Sequence, residues 1–524
     1  MIRYTPQAQL TLEGFEHPFD QDLDPHNRWV ILASVIPWDQ LARVYYRRMD
    51  AKRGAPTLSA RMVIGAVILK HMLNIDDREV VQQITENIYL QYFVGLPSFQ
   101  KKAPFDASLL VSIRKRLGPK VLDEFNTLVL EHTEVIGKKG GSGKKKGNAE
   151  EEKSEDCGKD QNPTEVPSAH CGVLMMDATV SEQQIAFPTD VKLLNASREQ
   201  LERMVAQVCS AGGLELPRMY RRKARRDYLL LTKKRNKSVQ AIRRALRQQL
   251  QYVRRDLGYL DGLMEDHPGL RTALDRRDWK LLQVIHELYR QQRQMYQSNT
   301  RMIGDRIVNI YQPHVRPMKT GKDKGSTEFG SKQLVMLKDG FSHVHTLSWD
   351  AFHEGNLLRD AVEAYKGYYG CYPEAVSADK LFGTRENRRY MKEVGIRFIG
   401  KALGRPTALA QQEARRLKQE MGKRNAIEGK FGQGKNAYGL GKIRARLKET
   451  SESWIVSIYF VMNLVKLAEA ERKRLFLAFF SRLYATLQDS QQGIVALLTQ
   501  YLEKLGVRIL RMDTAGIGFQ FSVD

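Results

Sequence analysis

The stretch Gly172-Val173-Leu174-Met175-Met176-Asp177-Ala178-Thr179-Val180 decides the fold class. Four apolar residues without a break, opened by a glycine, are too short for a helix and read as a buried strand. Gln184–Phe187 reads as a possible partner strand. Further on, Gln333–Lys338 and His343–Trp349 flank Asp339-Gly340, the dipeptide that favours a two-residue hairpin. Helix Leu357–Lys366, strand Ala375–Ala378, helix Glu386–Val394 and strand Arg397–Lys401 then alternate. A last helix is expected from about Thr407 to Phe431. Paired strands followed by alternating helices and strands predict an α/β domain with a mixed sheet.

Outward from this core the chain changes character. Residues 38–136 read as helical: an apolar-periodic run from Leu58 to Leu73, a second helix opened by Asp76-Asp77-Arg78-Glu79, and a third capped by Asp106. Lys138–Glu165 carries GKKGGSGKKKGN and AEEEKSED with almost no apolar residue, so it cannot contribute to a core and reads as a linker. Between about 197 and 310, long stretches rich in Arg, Gln, Leu and Ala, such as Ser238–Leu257, predict successive helices interrupting the sheet domain. The expected organisation is an all-α N-terminal domain (1–137), a charged linker (138–168), an α/β domain (169–470) with that helical insertion, and a helical tail (471–524).

The chain has 524 residues, and its 84 Lys and Arg against 60 Asp and Glu give a formal net charge of +24. A field of that sign favours a polyanionic partner, because each neutralised phosphate releases condensed counterions. The longest apolar stretches, such as Val456–Leu464, fall short of the roughly 20 residues that span a bilayer. No signal-peptide pattern opens the chain, and the four cysteines (157, 171, 209, 371) show no CxxC pairing. The expectation is a cytoplasmic protein without a membrane partner.

Three acidic residues stand where chemistry can use them. Asp177 is placed at the carboxyl end of its strand, Asp379 follows Val376-Ser377-Ala378, and Glu428 lies in the helical run Lys423–Phe431. Open α/β sheets collect ligands at strand ends. Two aspartates and a glutamate in a basic protein suit hard divalent cations, two of which roughly 3.5–4 Å apart can serve in-line phosphoryl transfer. Taken singly, each has a plainer reading as a helix or turn cap.

Taken together, Asp177-Ala178-Thr179, Ala378-Asp379-Lys380-Leu381-Phe382-Gly383 and Arg424-Asn425-Ala426-Ile427-Glu428-Gly429-Lys430-Phe431-Gly432 resemble the DDE transposases of bacterial insertion sequences. Glu449–Trp454 and the apolar helix after it are similar to the end of that catalytic domain, and Arg61–Gly95 with Asp106–Gly118 to the family's helical N-terminal domain. The resemblance implies an RNase H-like catalytic domain in which Asp177, Asp379 and Glu428 are catalytic and hold two Mg²⁺ or Mn²⁺ ions. It implies cleavage at transposon ends and strand transfer into target DNA. The partners would be double-stranded DNA, as terminal inverted repeats and target, and a second copy of the chain in a synaptic complex. A nucleoid-associated bacterial protein is the corresponding location. Arg424, Lys430 and Lys435 would contact DNA, although Gly432 and Gly434 interrupt the helical run before Lys435. Asp190 reads as structural, a cap before a helix near Ser197. The 202 positions between Asp177 and Asp379 are many for this path, and the helical insertion accounts for them. Two other readings remain: a nuclease of the same fold without strand transfer, and an inactive DNA-binding descendant.

The densest basic stretch, Arg218–Arg255, includes Arg221, Arg222, Arg225 and Arg226 with Tyr220, Tyr228 and Tyr252 interleaved. It is expected to clamp DNA, against the alternative of a solvated helix face. Arg114 and Lys115, beside the apolar positions of the third N-terminal helix, are further expected DNA contacts. His343, His345 and His353 lack acidic or cysteine partners at ligand spacing, so they read as ordinary strand and loop residues rather than a zinc site.

Overall fold

The computed structural model describes residues 22–47, 49, 57–139, 170–319, 327–400, 418–488, 507–512 and 516–521. Contacts divide the chain into two units. The first comprises Met1–Pro167, Leu337–His343 and Val456–Asp524; the second comprises Ser168–Met336 and Val344–Ile455. The expected linker from residue 140 onward lies outside the described residues.

In the first unit, helices run in sequence: α1 (Arg28–Val35), α2 (Trp38–Tyr46), α3 (Ala60–Leu73), α4 (Asp77–Glu86), α5 (Ile88–Phe93), α6 (Leu109–Arg116) and α7 (Pro119–Lys139). α3 is buried from Ala60 to His71, because its neighbours cover it on all sides. The Phe93 ring meets Trp29 and Trp38 edge-on. Arg61 donates to the carbonyls of Phe93 and Tyr92, each at 3.0 Å, so its burial leaves a satisfied cation. Asp76 caps α4 through the N–H groups of Arg78 and Glu79, as its sequence predicts. Asp106 instead accepts from Ser108 N in the turn before α6, so it closes that turn and not the helix itself.

The second unit is built on β1 (Val173–Gln183), followed by α8 (Asp190–Gly212), α9 (Arg221–Thr232), α10 (Val239–Asp266) and α11 (Arg276–Gln297). β2 (Arg316–Lys319), β3 (Thr327–Lys338) and β4 (Phe341–Ser348) come next, then α12 (Leu358–Tyr369), β5 (Ala375–Ser377), α13 (Arg385–Glu393) and β6 (Arg397–Ile399). α14 (Asn425–Ala437) and β7 (Lys442–Ile443) follow, and α15 (Lys448–Gln488) begins in this unit and belongs to the first from Val456 on. The sheet order is β2-β3-β1-β5-β6, with β4 on β3 and β7 on β1. β1 is parallel to β5 and to β7, while β2 is antiparallel to β3, giving the expected mixed α/β sheet.

Several boundaries differ from those read in the sequence. β1 runs on to Gln183, so Asp177 lies within the strand, and residues 184–187 form no partner strand. The extension is polar yet buried because its side chains are partnered: Ser181 Oγ donates to Gln333 at 3.0 Å and Gln183 donates to Ser451 at 2.9 Å. The hairpin closes at Asp339-Gly340 as expected, both at positive φ (51° and 84°), which this two-residue turn requires. α8 starts at Asp190 under a Thr189 cap, ahead of the expected start near Ser197. The described part of the expected 407–431 helix breaks at Lys423-Arg424 before α14, and residues 401–417 lie outside the described set. The tail is not helical throughout: β8 (Val507–Met512) and β9 (Gly516–Phe521) pair antiparallel. Within α15, Lys448–Arg474 is long and apolar enough to cross a membrane, contrary to the reading from Val456–Leu464, but most of it is buried in the protein. Cys171 and Cys371, 200 positions apart, form a disulfide that spacing did not announce.

The insertion has its own core. Leu201, Val205 and Val208 of α8 pack with Val253, Leu257 and Leu260 of α10 and Ile285 of α11. A second core lies on one face of the sheet: Leu174 and Met176 of β1 with Leu334, Val376 and residues of α12. Side chains alternate across a strand, so Asp177 faces the other side. α14 packs against β1.

Candidate active site

Strand register explains how Asp177 and Asp379 meet. Val173 pairs with Ala375, Leu174 with Val376 and Met175 with Ser377. β1 and β5 are neighbours over these rows, and Asp379, two residues past the last of them, is near enough for its charge to act on Asp177. Asp379 stands just past the end of β5, where its carboxylate accepts from Lys380 N at 2.7 Å. Asp177 accepts from Ala178 N at 2.9 Å.

Glu428 is brought to the same region by another route. α14 passes unbroken through Gly432 and Gly434, anchored by buried Ile427 and Phe431, so the expected interruption does not occur. Arg424, which immediately precedes it, donates to Asp177 Oδ2 at 3.0 Å and to Glu428 Oε1 at 3.2 Å. One guanidinium therefore stands between the two carboxylates. Glu428 is 56% exposed, and its side chain turns to Arg424 instead of to the aspartates. Among the described residues no three acidic, histidine or cysteine side chains converge as a metal-ligating group. The sequence expectation of three converging carboxylates thus resolves into an adjacent pair and a third held off by an arginine.

Burial pushes the Asp177 carboxyl up to about 6, against the pull of the Ala178 N–H and Arg424. Glu354 and Asp379 add to the rise through their negative charge. Glu354 had no signal in the sequence, because it opens a single 3-10 turn (Glu354–Leu357) between β4 and α12 and meets the site only through the fold. Its partner Lys332, from β3, sits at 2.8 Å. Beside Asp379 and Arg424 a cavity of about 220 Å³ opens, lined also by Ser377, Lys380 and Met421. The Ser377 hydroxyl is buried and has no hydrogen-bond partner among the described residues. A larger open groove of about 980 Å³, along Arg78, Val81 and Phe105 in the first unit, contains none of the expected catalytic residues.

The donors present fit a hard divalent cation. Mg²⁺ is usually held by one or two carboxylates with water completing its shell, and Asp177 in β1 with Asp379 just past β5 would supply that number of carboxylates.

The expected DNA contacts separate into distinct environments. Arg221, Arg222, Arg225 and Arg226 are exposed on α9. Arg221 is tied to Glu202 O at 2.9 Å and Arg225 to Glu199 at 3.0 Å. Tyr220 opens the helix at φ 52°, with the guanidiniums of Arg218 and Arg255 over its ring at 4.7 and 4.8 Å. Lys430 and Lys435 lie on α14, and Lys435 follows Glu428 by two helical turns, placing both near one face. Arg114 is buried and bound bidentately by Asp77 at 2.8 and 2.7 Å, which leaves it a structural partner; Lys115 beside it is exposed. His343 is buried near Asp123 and belongs to no metal-ligating group among the described residues.

Two transposase family models match parts of the chain. Residues 17–116 match the family described as Transposase domain (DUF772), and residues 376–465 match the Transposase DDE domain, which contains Asp379 and Glu428. A relative from Rhizobium meliloti, named as uncharacterized protein ORF8 in the nfe locus, is 31% identical over 215 residues. That alignment spans 40% of this chain and 87% of the relative. No solved structure matches. The chain belongs to the DDE-type insertion-sequence transposases.

Proposed function

We propose that the chain cleaves DNA at transposon ends and joins the freed strand to target DNA, using Asp177, Asp379 and Glu428 within an RNase H-like domain. What supports this reading is the parallel pairing of β1 with β5, which brings Asp177 and Asp379 to one region, with Arg424 bound to both Asp177 and Glu428. Two bound Mg²⁺ or Mn²⁺ ions would be held by these carboxylates and would supply activation of the attacking oxygen and stabilisation of the leaving one. The residues of the chain do the positioning. Asp177 and Asp379 fix the reacting phosphate's level on the sheet, and Arg424 is close enough to exchange a carboxylate for a phosphate oxygen.

In the first reaction a water oxygen attacks phosphorus and the P–O3′ bond breaks, leaving a 3′-hydroxyl on the element and a 5′-phosphate on the flank. In the second, that 3′-oxygen attacks a target phosphorus, and the target's own 3′-oxygen leaves with a proton. One diester is exchanged for another, so no outside energy source is needed. The exposed basic face of α9, with Lys430 and Lys435 on α14, would hold the DNA backbone, and synapsis of two ends would bring two copies of the chain together.

Incubating the full chain with Mg²⁺, a pre-cleaved end and plasmid tests the reading. Joined products that vanish in Asp177→Asn support it. Cleavage of intact ends without any joining would instead establish the nuclease reading. Binding without either reaction, in wild type, would establish an inactive descendant.

A further inference from the structure

Ser377, the polar residue of β5, has no role in the reading above. It is 2% exposed, and its hydroxyl has no hydrogen-bond partner among the described residues. The strand explains both facts. Val376 and Ala378 belong to the apolar core on one face of the sheet, so Ser377 points to the opposite face. Its row neighbours are Met175 on β1 and Ile399 on β6, and neither side chain carries an oxygen or nitrogen. A buried hydroxyl left unpaired is a cost to the fold that a bound ligand removes.

Ser377 lines the cavity of about 220 Å³ that opens beside Asp379. A water takes up about 30 Å³ of the liquid, so the space equals about seven waters, room for a phosphodiester group and part of its sugar. Its lining divides by chemistry. Ile399 and Met421 are apolar, whereas Lys380 and Arg424 bring two cations. Ser377 is buried, Arg424 half-buried and Lys380 exposed, so the charges stand nearer the mouth than the hydroxyl does. Arg424 spends two of its five N–H donors on Asp177 and Glu428 and keeps the others. Asp379 is the only acid among the described lining residues, and its carboxylate already accepts from Lys380 N.

A hydroxyl and two cations around one space suit an oxyanion, and the apolar wall suits the carbons attached to it. We infer that this cavity is a subsite for the DNA backbone unit next to the reacting phosphate. A non-bridging oxygen accepts from Ser377 Oγ and from the Lys380 and Arg424 side chains, and the deoxyribose lies against Ile399 and Met421. Ser377 is then a positioning residue, because a contact of this kind sets the register of the strand without reading its sequence. The inference rests on the functional reading above and deepens it.

The test is the affinity of the full chain for end duplexes in which one phosphate at a time, on either side of the cleavage position, is an uncharged methylphosphonate. Wild type should lose about 10-fold at one position beside the cleavage site. Ser377→Ala should bind unmodified DNA several-fold more weakly, and its further loss at that same position should be much smaller than the wild type's. Its thermal midpoint should equal or exceed the wild-type value, since an unpaired hydroxyl has gone, so weaker DNA binding cannot be ascribed to a damaged fold. Lys380→Gln should be blunted at the same position and should lower the salt slope of binding by about 1. Wild-type affinity in Ser377→Ala, or losses that simply add to those of the methylphosphonate at every position, overturns the inference. Joined products that persist in Asp177→Asn would overturn the functional reading instead, an outcome independent of these affinities.

Discussion

Arg424 donates to Asp177 at 3.0 Å, and the same guanidinium reaches Glu428 at 3.2 Å. A charge that a divalent ion would supply is thereby provided by the chain itself. Without it, a partly buried aspartate would face Asp379 and Glu354 uncompensated.

Arg424→Ala should therefore lower the stability of the metal-free protein by about 1–3 kcal/mol, since Arg424 is only 26% exposed. Added Mg²⁺ should restore most of the loss, because it takes up the charge that the arginine balanced. Thermal midpoints with and without Mg²⁺ check this; equal losses in both conditions would refute it.

On α9, Arg222 and Arg226 are exposed, whereas Arg221 and Arg225 also brace α8 through Glu202 and Glu199. The double substitution Arg222→Ala/Arg226→Ala should weaken DNA binding for all sequences alike and reduce the salt slope of binding by about 2. Its thermal midpoint should stay at the wild-type value. Arg221→Ala/Arg225→Ala should lose stability as well. A sequence-dependent loss in the first pair would argue against a backbone clamp.

Asp77 receives Lys70 at 2.7 Å and Arg114 at 2.7 Å, and both cations are almost fully buried. Asp77→Ala leaves two enclosed positive charges and should cost about 3–5 kcal/mol in chemical denaturation. Arg114→Ala should likewise act on stability, while Lys115→Ala should alter only DNA affinity. Loss of DNA affinity in Arg114→Gln at full stability would return that arginine to the binding surface.

Asp256 is fully enclosed in the insertion, and burial pushes its carboxyl up to about 7, with Arg255 opposing and Glu202 adding to the rise. The native state keeps this proton to higher pH than the unfolded chain does, so stability falls as pH climbs from about 4 to 7 and levels off above. Asp256→Asn should remove that slope and make the protein more stable at pH 8 by roughly 2–4 kcal/mol. The difference between the two melting curves from pH 4 to 8 is the measurement, and a difference independent of pH would contradict it.

The features read well from sequence are those with local causes. The Asp339-Gly340 turn needs only its own two residues, and α10 begins where Ser238 caps it. The run around Asp177 announced a strand for the same reason. Its continuation to Gln183 did not, since the partners that satisfy buried Ser181 and Gln183 lie at Gln333 and Ser451. The glycines of α14 hid a helix whose formation depends on burying Ile427 and Phe431 against the rest of the unit. At the site, residue types and motif marked Asp177, Asp379 and Glu428, and the proximity of Arg424 to Glu428 followed from helical spacing. Its bond to Asp177 and the presence of Glu354 did not, because both arise from sheet register and loop packing across distant segments.

Asp190, at the start of α8, meets Arg306, just beyond α11, at 2.7 Å and Gln292 of α11 at 2.9 Å, so the two ends of the helical insertion are clasped to each other. With its own core inside and that clasp at its base, the insertion is a cassette whose length does not bear on the register of β1 and β5. Lengthening or shortening the helices beyond that clasp would leave the pairing of β1 with β5 in place.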